Sequence, residues 1–497
     1  MTIADDGLYA GAGRTSISPP LGIKTVGFSS REGVVEGIES ELTATSVVFA
    51  AGGKKMAIVA LDLAIAPVAM VADWRQRVAQ AIGTTPAHVM INLSHTHSGP
   101  PLPGFPPEFA FQAELIRGYY DTLVPRIVES AVQANASLRP ARLAHGEGTS
   151  QIGINRREVG SDGYIFLGED PNKPIDPRVG VVRVDDLDGK PIATLFSYGC
   201  HTVVVGPNSR VASPDFPGAS REVIEKALGG LSLYLQGGGG DIMPVGGMGW
   251  EEDCRDSKDR VGMALAGEVV KVAAGLRTNV HPGERTWLPS LLGPGMTLTP
   301  WIPVEDHAAE HFDAVSETIK LDLIPFPTPG EAQRIRAERQ HDLEEAQASG
   351  QERRVTIGGR FVAWADRLVE AVSQNEPQTT DFEVQALRIN DVSFVALSAE
   401  VFSQTTVELR ERSPFAHTMA LGYSNGVVSY LPRAEDYPTG GWRVDDRYKI
   451  PDLVFQAYLL PTGLRPDSEQ RVVNAALGLL ERLYASTPAG ALAGAPA

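Results

Sequence analysis

Apolar residues fall along the chain in short β-branched runs separated by segments of helical spacing. Residues 45–50 and 55–61 are two such runs, split by Gly52-Gly53, and they predict a hairpin that ends at Asp62. The stretch 69–82 has helical spacing, with Trp74 and Val78 as core candidates and Gly83 as a stop. After a turn at Thr84-Thr85-Pro86, the unbroken apolar run 89–93 predicts a buried strand. Strand, helix, strand in this order predicts an α/β unit. Short strands are expected at 141–145 and 151–154, and longer ones at 179–184, 192–198, 231–236, 382–389, 392–397 and 418–423. Helices are expected at 119–134, 219–228, 258–276, 402–412 and 470–484. The fold class is α/β, a mixed β-sheet core flanked by helices.

The stretch 285–380 differs in texture. A strand is expected at 318–323, charged helices at 331–347 and 361–373, and a loop with Gly350, Gly358 and Gly359 between them. This predicts an α-helical insertion or lid on a core formed by 1–284 and 381–484. The Pro/Gly/Ala-rich tail 485–497 is expected to be disordered.

Composition narrows the function classes. With 497 residues the chain exceeds one ordinary compact domain, and its 43% hydrophobic and 21% charged residues suit a soluble globular protein. A formal net charge of -17 argues against nucleic acid as a main partner and against adhesion to an anionic membrane. Two cysteines, Cys200 and Cys254, do not make a disulfide scaffold. The first residues lack a basic and apolar leader, and no run of about 18 apolar residues suggests a span. The expectation is a cytoplasmic protein with a small-molecule substrate and no stable membrane association; a homo-oligomer is left open.

Candidate chemistry lies at strand ends. Four predicted core strands end in Asp62, His95/His97, His201 and Glu400. His95 and His97, in Ser94-His95-Thr96-His97-Ser98-Gly99-Pro100, are two apart and so look into one space. Histidines plus a carboxylate suit zinc in a hydrolytic site, where a bound water falls from a pKa of about 15.7 to about 7. A strand-end histidine can equally be a hydrogen-bonded structural residue, so spacing alone leaves both readings open. His307 and His311 have helical spacing and suit a solvated face better than a second metal. The run 237–240 suits close backbone packing more than a phosphate cradle, since no Lys-Ser/Thr follows. Cys200 reads as a buried thiol.

Segments 10–27, 92–100, Ile154-Asn155-Arg156, His201-Thr202, 236–244, 398–402 and 421–442 together resemble the catalytic domain of the neutral/alkaline (non-lysosomal) ceramidase family. The His-Thr-His-Ser-Gly-Pro motif is the specific one. The resemblance implies a ceramidase-like α/β domain and zinc (Zn2+) held by His95, His201, Glu400 and Tyr430. It gives His97 an acid/base role beside the metal and gives Arg156 an oxyanion or substrate oxygen. Two positions depart from the pattern. Met243 stands where the family's Gly-Asp-x-Ser-Pro-Asn motif has Ser, and Trp442 where a second Tyr binds substrate. A thioether neither attacks nor donates a proton, and an indole donates only. The family's secretion signal and C-terminal immunoglobulin-like domain are also not expected. Together these imply a zinc hydrolase of an amide bond in a small soluble acyl substrate. Asp62, Asp241 or His97 would be the base, and Met243 and Trp442 would face the substrate. The alternatives are an esterase or lactonase on the same site, or a non-catalytic metal-binding homologue.

Overall fold

Along strand Thr43–Ala51, Val47 and Phe49 point to one side and Ala44 and Val48 to the other, and both sides are buried. The next strand, Lys54–Leu61, repeats this with Met56 and Ile58 against Ala57 and Val59. Strands apolar on both faces need a layer on each side, and the fold supplies them. The computed structural model describes residues 7–28, 31–161, 163, 165–290, 293–438 and 455–486. Among them, a mixed sheet runs in the order 231–236, 191–198, 178–186, 139–149, 9–16, 43–51, 54–61, 89–93. A second sheet runs 312–322, 379–389, 392–397, 417–421.

The two sheets face each other. Val47, Phe49, Ile58 and Leu195 of the first share one core with Leu387, Phe394 and Leu421 of the second. Helices Val68–Ile82 and Ala113–Ala136 cover one half of the first sheet's outer face. Asp215–Leu228 and Arg255–Gly275 cover the other half. Ser403–Arg412 and Ser468–Ala485 cover the second sheet. The result is four layers, helix, sheet, sheet, helix. Each fully buried aliphatic or Phe side chain in these cores contributes about 1.5–3 kcal/mol. The described residues include no helix long and apolar enough to cross a membrane.

Within these two sheets three strand pairs are parallel: 54–61 with 89–93, 191–198 with 231–236, and 392–397 with 417–421. Their carboxyl ends are tied together. Thr96 bridges Thr202, and Asn92 bridges Ser424. The buried Asn92 amide donates to Gly422 O and Ser424 Oγ and accepts from Gln236 N.

Several expectations change. Asp215 opens a helix where a loop was expected. Gly358 and Gly359 lie inside the helix Glu352–Ser373, not in a loop. A Cβ on Gly358 would come within 3.1–3.4 Å of Leu343, so its small size lets Pro329–Ala348 pack closely against its neighbour. Strand Phe312–Asp322, within the expected insertion, pairs with Thr379–Ile389 along its whole length. His307 and His311 are not helical; the His307 ring lies 6.2 Å from that of Tyr9.

Where the sheets meet, the His145 and His417 rings stack with centroids 3.4 Å apart, and neither buried Nδ1 has a protein partner. Burial, then the neighbouring His417, holds His145 down at about 4, and burial also lowers His417. The unfolded chain, with histidines near 6.5, binds more protons between these values. Stability is therefore complete above about pH 6.5 and falls as the pH drops towards 4. His145→Gln is expected to flatten this acid limb, read as a smaller difference in urea midpoint between pH 7 and pH 5 than in the parent.

Candidate metal centre

Strand Val89–Leu93 ends in a loop that turns sharply at His95, whose φ is 61°. A β-carbon residue in the left-handed region is strained and persists only where its surroundings over-determine it. Here they do. His95 N donates to Leu63 O at 3.0 Å, and His95 Nδ1 donates to Ala64 O at 2.7 Å. Arg31 fastens the other side of the loop. Its buried guanidinium donates to His97 O, Ser98 Oγ, Val205 O and Gly206 O. Phe28 sets its ring edge-on to His97 at 5.0 Å. A Cβ on Gly27 would lie 2.4 Å from the His97 ring, so the glycine is required there.

His201 arrives from the end of Pro191–Tyr198, and its Nδ1 donates to Gly239 O at 2.6 Å. The run 237–240 thus packs tightly beneath the site: Cβ atoms on Gly238 or Gly240 would meet Phe402 and Glu400 carbonyls at 3.0 and 2.8 Å. Glu400 follows Val392–Leu397 and is the register partner of Tyr430 in a short parallel pair. Tyr423 donates to Glu400 Oε2 at 3.1 Å, and Tyr458 donates to Oε1.

These groups converge. His95 Nε2 is 3.0 Å from His201 Nε2 and 3.1 Å from His97 Nε2. Glu400 Oε2 is 3.2 Å from His201 Nε2 and 3.5 Å from His95 Nε2, and the Tyr430 hydroxyl is 3.3 Å from His201 Nε2. Burial holds His95 at about 4 and pushes His97 and His201 well below the usual imidazole range, so all three rings are neutral at pH 7. Carbonyl oxygens only accept, so the Nδ1 atoms of His95 and His201 carry the protons and their Nε2 atoms present lone pairs to each other. Two facing lone pairs at 3.0 Å repel unless a cation lies between them. A tetrahedral ion with ligand bonds of about 2.0–2.1 Å has ligand–ligand edges of about 3.3 Å, which these separations match. The three histidines alone form a set able to hold a metal ion. The Nδ1 of His97 has no protein partner, which separates it from the two anchored rings.

Arg156 donates twice to Gly240 O, at 2.8 and 3.1 Å, and to the Tyr430 hydroxyl at 2.9 Å. Burial, then Glu400, raises Tyr430 well above the usual phenol range, while Arg156 opposes this. Asp241 is buried one layer back. Its carboxylate accepts from Ser403 N, Ser403 Oγ and Asn155 Nδ2, and burial pushes it up to about 6. Asp62 is spent elsewhere: it accepts two bonds from Arg221 and two from Thr43, locking the helix Asp215–Leu228 to the sheet. Neither aspartate lines the cavity above the cluster, which measures about 600 Å³. Met243 does line it, with Phe28, Ile65, Phe166, Leu167 and Phe361. Trp442 lies outside the described residues.

Sequence reasoning missed Arg31, Tyr423 and Tyr458. Arg31 sits in a polar loop without periodicity, and Tyr458 follows an irregular stretch. Tyr423 was taken as the end of a strand, and its place after a strand parallel to 392–397 is the signal that could have found it.

A model of the neutral/alkaline non-lysosomal ceramidase family, N-terminal part, matches residues 9–238. Over that span the chain is similar to this family. The ceramidase-family match holds His95, His97, Arg156 and His201, whereas Glu400 and Tyr430 lie beyond it. Neutral ceramidase A of Dictyostelium discoideum is 28% identical over 175 residues, 32% of this chain and 24% of its own length. The neutral ceramidase of Pseudomonas aeruginosa is 27% identical over 257 residues, 48% of this chain and 38% of its own length. The matched stretches thus span about a quarter to two-fifths of these relatives. The crystal structure of the Pseudomonas aeruginosa neutral ceramidase superposes over 99% of this chain and 76% of its own, with a TM-score of 0.64 at 19% identity. A ceramidase complexed with C2 gives a TM-score of 0.65 at 18% identity, over 99% and 77%. The structural likeness extends the shared fold beyond residue 238.

Proposed function

We propose that the chain is a zinc-dependent hydrolase that cleaves the amide bond of a small soluble acyl substrate. One observation carries this reading: neutral imidazoles with lone pairs facing each other, beside Glu400 and Tyr430, at the floor of an apolar cavity. His95, His201, Glu400 and Tyr430 would hold the ion. Bound there, zinc would acidify a water ligand and polarise the scissile carbonyl. His97, with its free Nδ1 and low basicity, takes a proton from the attacking water and returns it to the leaving nitrogen. Arg156 positions the Tyr430 hydroxyl and sets a fixed positive charge near the developing oxyanion. Asp241 acts at one remove, holding Asn155 beside Arg156 and the start of the helix Ser403–Arg412. The apolar walls exclude water and hold the acyl part, and Phe361 closes the cavity from the helix Glu352–Ser373.

The relatives are named ceramidases, and amide cleavage is the reaction that name implies. Met243 favours a second reading, ester or lactone cleavage, because an alkoxide leaves without the proton donor that Met243 cannot be. Matched amide and ester substrates with one acyl group separate the two. The amide reading expects about one zinc per chain, activity lost on chelation and restored by zinc, and turnover of the amide. Ester turnover alone would select the second reading, and a metal-free chain with unchanged activity would sink both.

A further inference from the structure

Just beyond the strand His417–Leu421, Tyr423 holds a φ of 50°, in the left-handed region that is unfavourable for a residue with a β-carbon. Glycine would relieve the strain, and the chain places glycines close by at 422 and 426 but not here. A strained aromatic persists only where its surroundings over-determine it, and such residues gather at functional sites. Tyr423 N donates to Ala399 O at 2.8 Å, and its carbonyl accepts from Leu93 N at 3.0 Å. Its backbone therefore staples the segment that leads to His95 to the segment that leads to Glu400. Its ring is fully buried, with the His95 ring 4.4 Å away.

The Tyr423 hydroxyl donates to Glu400 Oε2 at 3.1 Å. This is the oxygen that faces the imidazoles, 3.2 Å from His201 Nε2 and 3.5 Å from His95 Nε2. Tyr458 donates to the other oxygen, Oε1. Two phenols thus grip one buried carboxylate, one on each oxygen. A buried carboxylate needs such donors or a cation. The phenols also fix its rotation, so that Oε2 keeps a lone pair for the cluster while Oε1 is occupied. Tyr458 lines the cavity above the cluster and Tyr423 does not, so Tyr423 has no direct access to a substrate.

We propose that Tyr423 is a positioning residue of the metal centre: its hydroxyl holds Glu400 Oε2 in place as the single carboxylate oxygen offered to the ion. This role rests on the zinc reading above and adds a residue to it. It also accounts for the strain at 423. A glycine there would relax the backbone but remove the donor, leaving Glu400 free to turn or to offer both oxygens.

Zinc affinity by chelator competition and the visible spectrum of the cobalt(II)-loaded protein test this in Tyr423→Phe, which keeps the ring against His95 and removes only the hydroxyl. The zinc dissociation constant is expected to rise about 10–100-fold, the usual effect of losing a partner behind a ligand. The cobalt bands should change as the carboxylate alters its mode of binding. Added to Glu400→Gln, the same substitution should move the zinc constant less than about twofold, because non-additivity marks a residue that acts through its neighbour. A packing role alone predicts parental affinity and parental bands in Tyr423→Phe, and that result would overturn the proposal. Full additivity with Glu400→Gln, or a Phe variant that does not fold, would overturn it as well. A parent that takes up neither zinc nor cobalt would instead remove the metal reading, and this inference with it.

Discussion

His201→Ala is expected to strip the metal from the protein and reduce kcat/KM by on the order of 10³-fold or more, since even changes behind a metal ligand cost 10–100-fold. His201 is a cleaner choice than His95. Alanine at position 95 would inherit a φ of 61° and the strain that goes with it, confounding metal loss with a backbone change. His201 is buried and its Nδ1 is bound to a carbonyl, so its loss removes one lone pair from the cluster and leaves Gly239 O with Ile242 N as its remaining donor. The lost hydrogen bond costs about 0.5–1.5 kcal/mol, and the lost metal removes its own binding contribution to folding. The thermal midpoint should therefore fall in the variant, and chelation should lower the parent towards it. Metal content by mass spectrometry, kcat/KM and thermal unfolding read the three effects separately. A variant that keeps its zinc and its activity would remove His201 from the ligand set.

The layered fold was legible because its central strands, such as Thr43–Ala51, Val89–Leu93 and Val392–Leu397, are runs that bury two faces, and such runs stand out in sequence. Its boundaries were less so. Gly358 and Gly359 looked like punctuation, yet in a helix packed against Leu343 they are spacers, and local propensity cannot distinguish the two. Within the site, the two-residue spacing of His95 and His97 suggested a shared space, and their Nε2 atoms are 3.1 Å apart. The reason is not strand alternation, since His95 has left the strand and turned. Asp62 shows the limit of reading strand ends: it has the same position as the histidines but faces Arg221. Which strand-end residues converge depends on ties between distant segments, such as Asn92 with Ser424, 332 residues apart, and no local pattern carries that. Glu400 was legible as a strand-end carboxylate, whereas Tyr430 entered through the resemblance alone, and their register pairing gives the physical reason they belong together.

The second large effect separates the two motif histidines. His97→Gln is expected to lower kcat/KM by about 10²–10⁴-fold, the usual range for a lost acid/base group, while zinc stays at the parental level. The asymmetry follows from their anchors. His95 and His201 each spend Nδ1 on a carbonyl, which fixes the tautomer and aims Nε2 at the cluster. His97 spends neither nitrogen on a carbonyl and rests instead against Phe28 and Gly27. A ring held by packing can keep a proton on either nitrogen, as a shuttle requires and a ligand does not. Its basicity is lowered first by burial and then by its neighbours His95, His201, Arg156 and Arg31, so it is neutral at pH 7 and has a lone pair to receive a proton. Glutamine preserves much of the volume against Phe28 but cannot accept and return a proton at that point. The fall should therefore appear in kcat with KM little changed, and it should be smaller for an ester with a good leaving group than for the matched amide. Zinc loss equal to that of His201→Ala would make His97 a ligand, and parental kcat would leave the proton transfer to another group.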